Sequence, residues 1–310
     1  MSTSMPSNNS ARVPNSPVAK MPALPMTALV VGVLLGLAAV GMLSAYRSLP
    51  PEVNGLATAL IALGASVLLI IVGAAGLGRG IAPGASQEAD RIGNEPAQLT
   101  GHLDPGLSRW LWLVKWVLVI PHYIILALLW VAFLVVTVAA GFAILFTGRY
   151  PASLFQFTVG VLRWNWRVTF YAYGVLGTDR YPPFTLARAD YPAELDVAYP
   201  VKLSHWKVLF KSWLFALPQL LIVAALTGSA ASSSTASISL LSLLVCIAAI
   251  ILLFTGVYRL GIFDLLMGIN RWTVRTISYA ALMSDKYPPF RLDQGPLDPP
   301  TNPAVSPTPA

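Results

Sequence analysis

The chain alternates long apolar runs with short polar connectors. The first run, residues 23–46, contains no charged residue, and a second run, 55–78, follows after a short polar turn. A run of about 20 apolar residues is long enough to cross the hydrocarbon core of a membrane. The two runs therefore predict an N-terminal transmembrane hairpin over 23–78. The alternative for the first run alone is the apolar core of a secretory signal peptide.

A third apolar stretch, 110–146, is too long for one upright crossing and is interrupted only by Lys115. A straight helix of this length would measure about 55 Å, whereas the hydrocarbon core is about 30 Å thick. The stretch is therefore either one long tilted span or a tight hairpin of two helices. Its own residues do not decide between these structures.

An internal repeat organises the rest of the chain. Residues 145–172 align without gaps with 253–280, and 12 of the 28 positions are identical, which indicates a duplication. The hexapeptides DRYPPF, from Asp179, and DKYPPF, from Asp285, close the two copies. The repeat predicts unit 1 over 100–187, a linker over 188–195 and unit 2 over 196–292.

A polar tract divides the apolar stretch of unit 2. Residues 228–237 read GSAASSSTAS, and such a tract needs water to satisfy its backbone groups. Unit 2 is therefore predicted to contain a hairpin of two helices, 206–227 and 238–254. If the copies share one fold, unit 1 also contains a hairpin, with its turn near 128–131.

These patterns predict an all-α integral membrane protein with about six transmembrane helices. One hairpin is N-terminal, and each repeat unit adds a hairpin followed by an amphipathic helix. The remaining segments are polar or rich in proline. They are a disordered N-terminal tail over 1–22, a polar connector over 79–99 and a disordered Pro-rich C-terminal tail over 293–310.

The charge distribution predicts an orientation. The chain has 20 Lys and Arg against 13 Asp and Glu. With six spans, 19 of the 20 basic residues lie on the side of the two termini, and only Arg47 lies on the other. The positive-inside rule then places both termini in the cytoplasm, with the protein in the plasma membrane. The expected partners are the lipid bilayer, anionic lipids and other membrane proteins, and we expect no nucleic acid.

Two arginine pairs follow the apolar stretches, and each pair is spaced to lie on one helix face. Two arginines make a full span costly, at about 2.5–3.5 kcal/mol each, so both segments are predicted to be amphipathic helices on the inner leaflet or against the bundle. The arginines either anchor the helices at the interface or form a pocket for an anionic headgroup or a phosphorylated ligand. The candidate residues are Arg163, Arg167, Arg271, Arg275, Trp164 and Trp272.

Several motifs resemble a known family. They are WLVKW at 112–116, IPH at 120–122, LFTGRYP at 145–151, VLRW at 161–164 and the closing YPPF. In these residues the chain resembles the bacterial membrane proteins grouped as domain of unknown function 4389, present as two tandem copies over about 100–292. The resemblance implies the fold, but it supplies no activity, substrate or cofactor.

The candidate chemistry is sparse. The three histidines and the single cysteine lack metal-ligand spacing, and we expect no catalytic residue, no metal and no cofactor. None of the predicted spans contains Asp or Glu, which ion-coupled transporters usually need. The leading hypothesis is a non-enzymatic scaffold or accessory subunit, or an anionic-lipid-binding protein, at the cytoplasmic leaflet. The alternative is a small-solute or lipid transporter built on the pseudo-two-fold repeat.

Overall fold

A computed structural model of the chain describes residues 22–45, 55–81, 95–210, 214–228 and 239–298. Most of both predicted tails, the middle of the polar connector and most of the Ser-rich tract therefore lie outside the described residues. Within them the chain forms eleven elements. These are α1 (Ala23–Ala45), α2 (Gly55–Arg79), β1 (Ala97–Gly101), α3 (Trp112–Leu118), α4 (Ile120–Thr147), α5 (Ala152–Tyr171), β2 (Ala193–Val197), α6 (His205–Phe210), α7 (Leu217–Thr227), α8 (Leu240–Thr255) and α9 (Leu260–Ala280).

The N-terminal helices α1 and α2 form the predicted hairpin. A Cβ on Gly32 would lie 2.9 Å from the backbone nitrogen of Ile70, and a Cβ on Gly73 would lie 2.6 Å from that of Leu29. Position 29 thus meets 73 while position 32 meets 70, so the helices run antiparallel. Glycine is required at both contacts because any side chain would push the two backbones apart.

Unit 1 contains one continuous helix where the repeat predicts a hairpin. Helix α4 runs unbroken through 128–131 and has 28 residues, which corresponds to about 42 Å. Its sequence has no proline after Pro121 and no glycine before Gly141, and a turn in lipid would leave backbone groups unpaired. Helices α1, α2 and α4 are long and apolar enough to cross a membrane, which indicates a membrane protein. Six spans are not confirmed.

In unit 2, helices α7 and α8 together take the place of α4. Thr147 lies 25 residues after His122, whereas Thr255 lies 36 residues after Gln219, and the difference is an 11-residue insertion at 228–238. Both α7 and α8 contact α9, as α4 contacts α5. The two ends of the insertion lie close together, because a Cβ on Gly228 would lie 2.7 Å from the Cβ of Ser239. Individually, α7 and α8 are shorter than the three candidate spans.

A small antiparallel sheet departs from the all-α prediction. Strand β1 pairs with β2, and Leu99 lies opposite Leu195. The two strands are themselves a repeat, since PAQLT at 96–100 matches PAELD at 192–196. Equivalent leucines therefore face each other across a pseudo-two-fold axis. The short strands escaped prediction because five residues carry little periodic signal, and their partners are almost 100 residues apart.

Each unit is completed by residues from the beginning of the other unit or from the segment just before it. Strand β2, which leads into unit 2, packs on α5 of unit 1, while β1 packs on α9 of unit 2. The same exchange holds for the segments LSRW at 107–110 and LSHW at 203–206. Arg109 packs against Gly256, and His205 packs against Gly148 and bonds the carbonyl of Leu145 at 2.7 Å. The duplication has therefore produced two interlocked halves rather than two independent domains.

Candidate functional site

The LFTG motif sets the start of each arginine-bearing helix. Gly148 ends α4 with φ of 67°, and Gly256 ends α8 with φ of 71°. This left-handed conformation favours glycine and closes a helix sharply. Helices α5 and α9 then begin four residues later, so the arginines of the two units lie at equivalent positions.

The arginines of unit 1 are buried and paired with carboxylates. Arg163 and Arg167 are 2% and 0% exposed. Arg163 donates to a carboxylate oxygen of Asp196 at 3.2 Å and to the carbonyl of Leu195 at 3.0 Å. Arg167 donates to Glu194 at 2.8 Å. We refer to Arg163, Arg167, Glu194 and Asp196 as ion-pair cluster 1.

The arginines of unit 2 form an equivalent cluster. Arg271 pairs with Asp298 at 2.7 Å and donates to the carbonyl of Leu99 at 3.0 Å. Arg275 pairs with Asp293 at 2.6 Å and with Asp298 at 2.7 Å. Arg271, Arg275, Asp293 and Asp298 make up ion-pair cluster 2. In both clusters the first arginine bonds the carbonyl of the central leucine of a strand.

Burial governs the electrostatics of both clusters. Loss of hydration lowers the pKa of Arg163 and of Arg271, while the adjacent carboxylates oppose this shift. Arginine nevertheless stays charged in proteins, so the carboxylates are needed to neutralise it. Arg188 and Arg291 pair with Asp196 and Asp293 at the outer side of each cluster. Each group of three arginines therefore meets two aspartate or glutamate carboxylates from its own cluster.

The two clusters obtain their carboxylates from different places. In unit 1 they belong to β2. The equivalent residues of β1 are Gln98 and Thr100, which carry no charge. The carboxylates of cluster 2 come instead from residues 292–298, which follow the second YPPF motif and which we call the C-terminal strap. Its residues from 293 onward fall within the predicted disordered tail, and they lie against α9.

Both candidate tryptophans make interior hydrogen bonds. Trp164 is 1% exposed, and its indole N–H donates to Nδ1 of His122 at 3.0 Å. The half-buried Trp272 donates to Oε1 of Gln219 at 2.5 Å. His122 and Gln219 both follow the proline at the start of their helices, so a histidine and a glutamine serve as equivalent acceptors. The ring of Phe184, from the first YPPF motif, stacks on His122 at 4.0 Å.

The aspartate of each hexapeptide ties the end of a unit to its beginning. Asp179 accepts from the backbone N–H of Ser108 at 2.6 Å, and Asp285 accepts from that of Ser204 at 2.8 Å. Asp179 also pairs with the buried Lys115 at 2.9 Å. Burial lowers the pKa of Lys115, and Asp179 partly offsets this shift. The repeated DRYPPF and DKYPPF motifs therefore have a structural explanation.

A separate cavity lies where α2 ends and α5 begins. Its volume is about 300 Å³. Arg79, Gln156 and Tyr199 provide polar groups at its wall, and the rest of the wall is mostly apolar. In the part of the chain that the structure describes, no group of three or more His, Cys, Asp or Glu side chains could hold a metal ion.

Sequence reasoning found all four arginines but missed their partners. The two arginines of each unit lie together on one helix and pair with carboxylates of their own cluster. This arrangement does not test whether they bind an anionic headgroup, which stays a prediction. The missed residues are Glu194, Asp196, Asp293 and Asp298. One signal was available for the first two, because Glu194 and Asp196 alternate with the buried leucine of a PAxL repeat.

The fold and these clusters define a duplicated helical membrane protein in which each unit carries a buried ion-pair cluster. The chain belongs to the family described as domain of unknown function DUF4389, whose model matches residues 109–185 and 209–291, together about half of the chain. The two segments confirm two tandem copies. No curated protein and no solved structure matches the chain.

Proposed function

We propose that the protein is a non-enzymatic scaffold or accessory subunit that binds another membrane protein through unit 2. The observation that carries this proposal is an asymmetry between two otherwise equivalent units. Helix α2 packs on α5 of unit 1. In the part of the chain that the structure describes, the equivalent face at the start of α9 in unit 2 is less buried, and open space surrounds Gly261.

The contact of α2 with α5 shows what this face can accept. Gly78 of α2 packs directly on the carbonyl of Ser153, and Phe157 beside it is fully buried. The equivalents of Ser153 and Phe157 are Gly261 and Leu265. Among the described residues, a Cβ on Gly261 would meet nothing within 4 Å, and Leu265 is half-buried.

Apolar residues extend this open face. Val257, just before α9, is 61% exposed, and Leu260, its first residue, is 65% exposed. A transmembrane helix with a small residue at the crossing point would cover α9 as α2 covers α5. We therefore assign the face to a helix of a partner protein, and its coverage by lipid alone is the competing outcome.

Site-specific photo-crosslinking in cells tests this proposal. A photoreactive residue at Gly261 is expected to give one discrete, heavier adduct with a partner protein. The matched position Ser153 is expected to crosslink within the chain, to α2. A Gly261→Trp variant should lose the adduct of a second probe at Val257 while keeping its thermal stability in detergent. Only lipid adducts at both Gly261 and Val257 would contradict the proposal.

The cavity at Arg79 favours a second function, binding of an anionic lipid. An exposed cation above a largely apolar space matches a headgroup and its acyl chain. Native mass spectrometry should detect an anionic phospholipid bound to the wild type and at least tenfold less of it on Arg79→Gln. The control is Arg149→Gln, because Arg149 is exposed but does not line the cavity. Equal loss in both variants would indicate unspecific attraction and exclude this site.

The packing at the sheet favours a scaffold over a transporter. A Cβ on Gly101 would lie 2.6 Å from the ring of Phe170 and 3.0 Å from the methyl group of Met267. Phe170 also contacts Phe263 of unit 2, with ring centroids 6.2 Å apart. Side chains from both units thus fill the space below the end of β1.

A further inference from the structure

We propose that Arg271 and Arg275 form a receptor for a bent acidic peptide, and that the C-terminal strap is its detachable intramolecular ligand. The proposal rests on how the strap is held, on what it leaves behind when it departs, and on the contrast with cluster 1.

The strap is held mainly by polar contacts, and Leu292 and Gln294 at its start also lie over Gly268 of α9. Its leucines, Leu292 and Leu297, are 37% and 56% exposed. Strand β2, which supplies the carboxylates of cluster 1, buries Ala193, Leu195 and Val197 instead. Burial of apolar side chains is the main favourable contribution to docking a segment. Strand β2 has much more of this contribution than the strap, so the strap is the segment that can leave with less disturbance of the core.

The bound strap lies along the outer edge of β1 and bends at Gly295, whose φ is 101°. The backbone N–H of Gly101 donates to the carbonyl of Pro296 at 3.0 Å, and that of Leu99 donates to the carboxylate of Asp298 at 2.7 Å. Addition of a strand to an open edge is a common mode of peptide recognition. The peptide that fits has two aspartates five positions apart, because Asp293 and Asp298 both reach Arg275.

Release of the strap leaves a positively charged site. Arg271, Arg275 and Arg291 remain, whereas both carboxylates of cluster 2 leave with the strap. Glu95 still pairs with Arg291. The open site therefore attracts an acidic segment, and this attraction weakens as salt screens the charges.

The direct test uses a chain that ends at Arg291 together with a synthetic, fluorescently labelled peptide of residues 292–298. We expect saturable binding to the shortened chain in detergent, measured by fluorescence anisotropy. Binding to the full chain should be at least tenfold weaker, because the strap occupies the site. A peptide with Asp293→Asn and Asp298→Asn should also bind at least tenfold more weakly, as should the wild-type peptide to the Arg275→Gln variant of the shortened chain.

Three results would overturn the proposal. They are no peptide binding to a folded shortened chain, equal binding to the full chain, and equal binding of the asparagine peptide. The shortened chain could instead bind no peptide but bind vesicles containing anionic lipid more tightly than the full chain does. That result would assign the arginines to a lipid headgroup.

A second measurement on the intact chain keeps the proposal falsifiable if the shortened chain does not fold. Trypsin can cleave after Arg291, at the start of the strap, and after Arg188, which is bound to Asp196 of cluster 1. Raising the salt concentration to about 1 M should accelerate cleavage after Arg291 at least tenfold. Cleavage after Arg188 should change less than twofold because β2 stays buried. Equal responses at the two bonds would overturn the proposal.

Discussion

Ion-pair clusters 1 and 2 contain arginines at equivalent positions of the repeat, but their carboxylates come from different segments of the chain. In cluster 1, Glu194 and Asp196 belong to a strand that also buries its apolar side chains. In cluster 2, the corresponding residues of β1 are neutral, and aspartates of the strap replace them. The comparison shows that duplication kept the buried charges of the helices while the compensating charges moved to another segment.

The difference matters because a buried arginine needs a carboxylate to compensate its charge. Removing one partner of a buried ion pair leaves an uncompensated charge and is strongly destabilising. A carboxylate on β2 cannot move away without breaking the sheet. A carboxylate on the strap can, and water then reaches the arginines. The ion pairs of unit 1 thus stay formed, whereas those of unit 2 can dissociate and form again.

The largest expected effect comes from removing one carboxylate of each cluster. Glu194→Ala should reduce the free energy of unfolding by about 3 kcal/mol, at the low end for a broken buried pair because Glu194 is one-third exposed. Asp298→Ala should cost only about 1 kcal/mol, since the strap detaches and water solvates the arginines. Equilibrium unfolding in detergent measures both. Equal losses would show that the clusters are held in the same way.

The β1 position equivalent to Glu194 provides the control for this comparison. Gln98→Ala alters the same place on the other strand without removing a charge. We expect a loss below about 1 kcal/mol. A loss as large as that of Glu194→Ala would mean that disruption of the sheet, and not the unpaired arginines, causes the destabilisation.

A second comparison concerns the helix packing that unit 2 lacks. Gly78→Ala places a methyl group on the backbone carbonyl of Ser153, which cannot rotate away, and should cost about 2 kcal/mol. Gly261→Ala meets open space and should be neutral or stabilising by up to about 1 kcal/mol, because alanine favours a helix. Thermal unfolding in detergent distinguishes them. Similar losses at both positions would remove the asymmetry on which the proposed function rests.

The smallest expected difference concerns the glycines of the two LFTG motifs, which should contribute equally to stability in both units. Gly148→Ala and Gly256→Ala each force a side chain into the left-handed conformation, at a cost of about 1 kcal/mol. The same unfolding measurement should give values within a few tenths of a kcal/mol of each other. A clear difference would show that the LFTG motifs do not end equivalent helices.

The repeat was the strongest guide in the sequence. Equal spacing from LFTG to the arginine pairs, with YPPF at the end of each copy, predicts two equivalent units. The structure confirms equivalent roles for Gly148 and Gly256 and for Trp164 and Trp272. These features are local, because each depends on residues that lie close together in one unit. Local patterns of this kind are visible in a single sequence.

The features that sequence reasoning missed depend on pairing between distant segments. The partners of Arg271 include Leu99, 172 residues away, and no periodicity reports such a contact. The hairpin expected in unit 1 followed from the insertion in unit 2, but the insertion interrupts a helix that α4 forms without a break. Arg163 and Arg271 are among the cytoplasmic charges expected from the positive-inside rule, but both are neutralised by carboxylates. The orientation therefore stays a prediction.

Hydrogen–deuterium exchange of the full chain tests the central claim most directly, by comparing the strap with β2 at low and high salt. The amides of Leu99 and Gly101, which donate to the strap, should exchange at least tenfold faster at about 1 M salt than at about 0.05 M, because the contacts of the strap are mainly polar and are screened. Residues 193–197 should exchange slowly and at the same rate in both conditions. Equal protection of the two segments, unaffected by salt, would contradict the account.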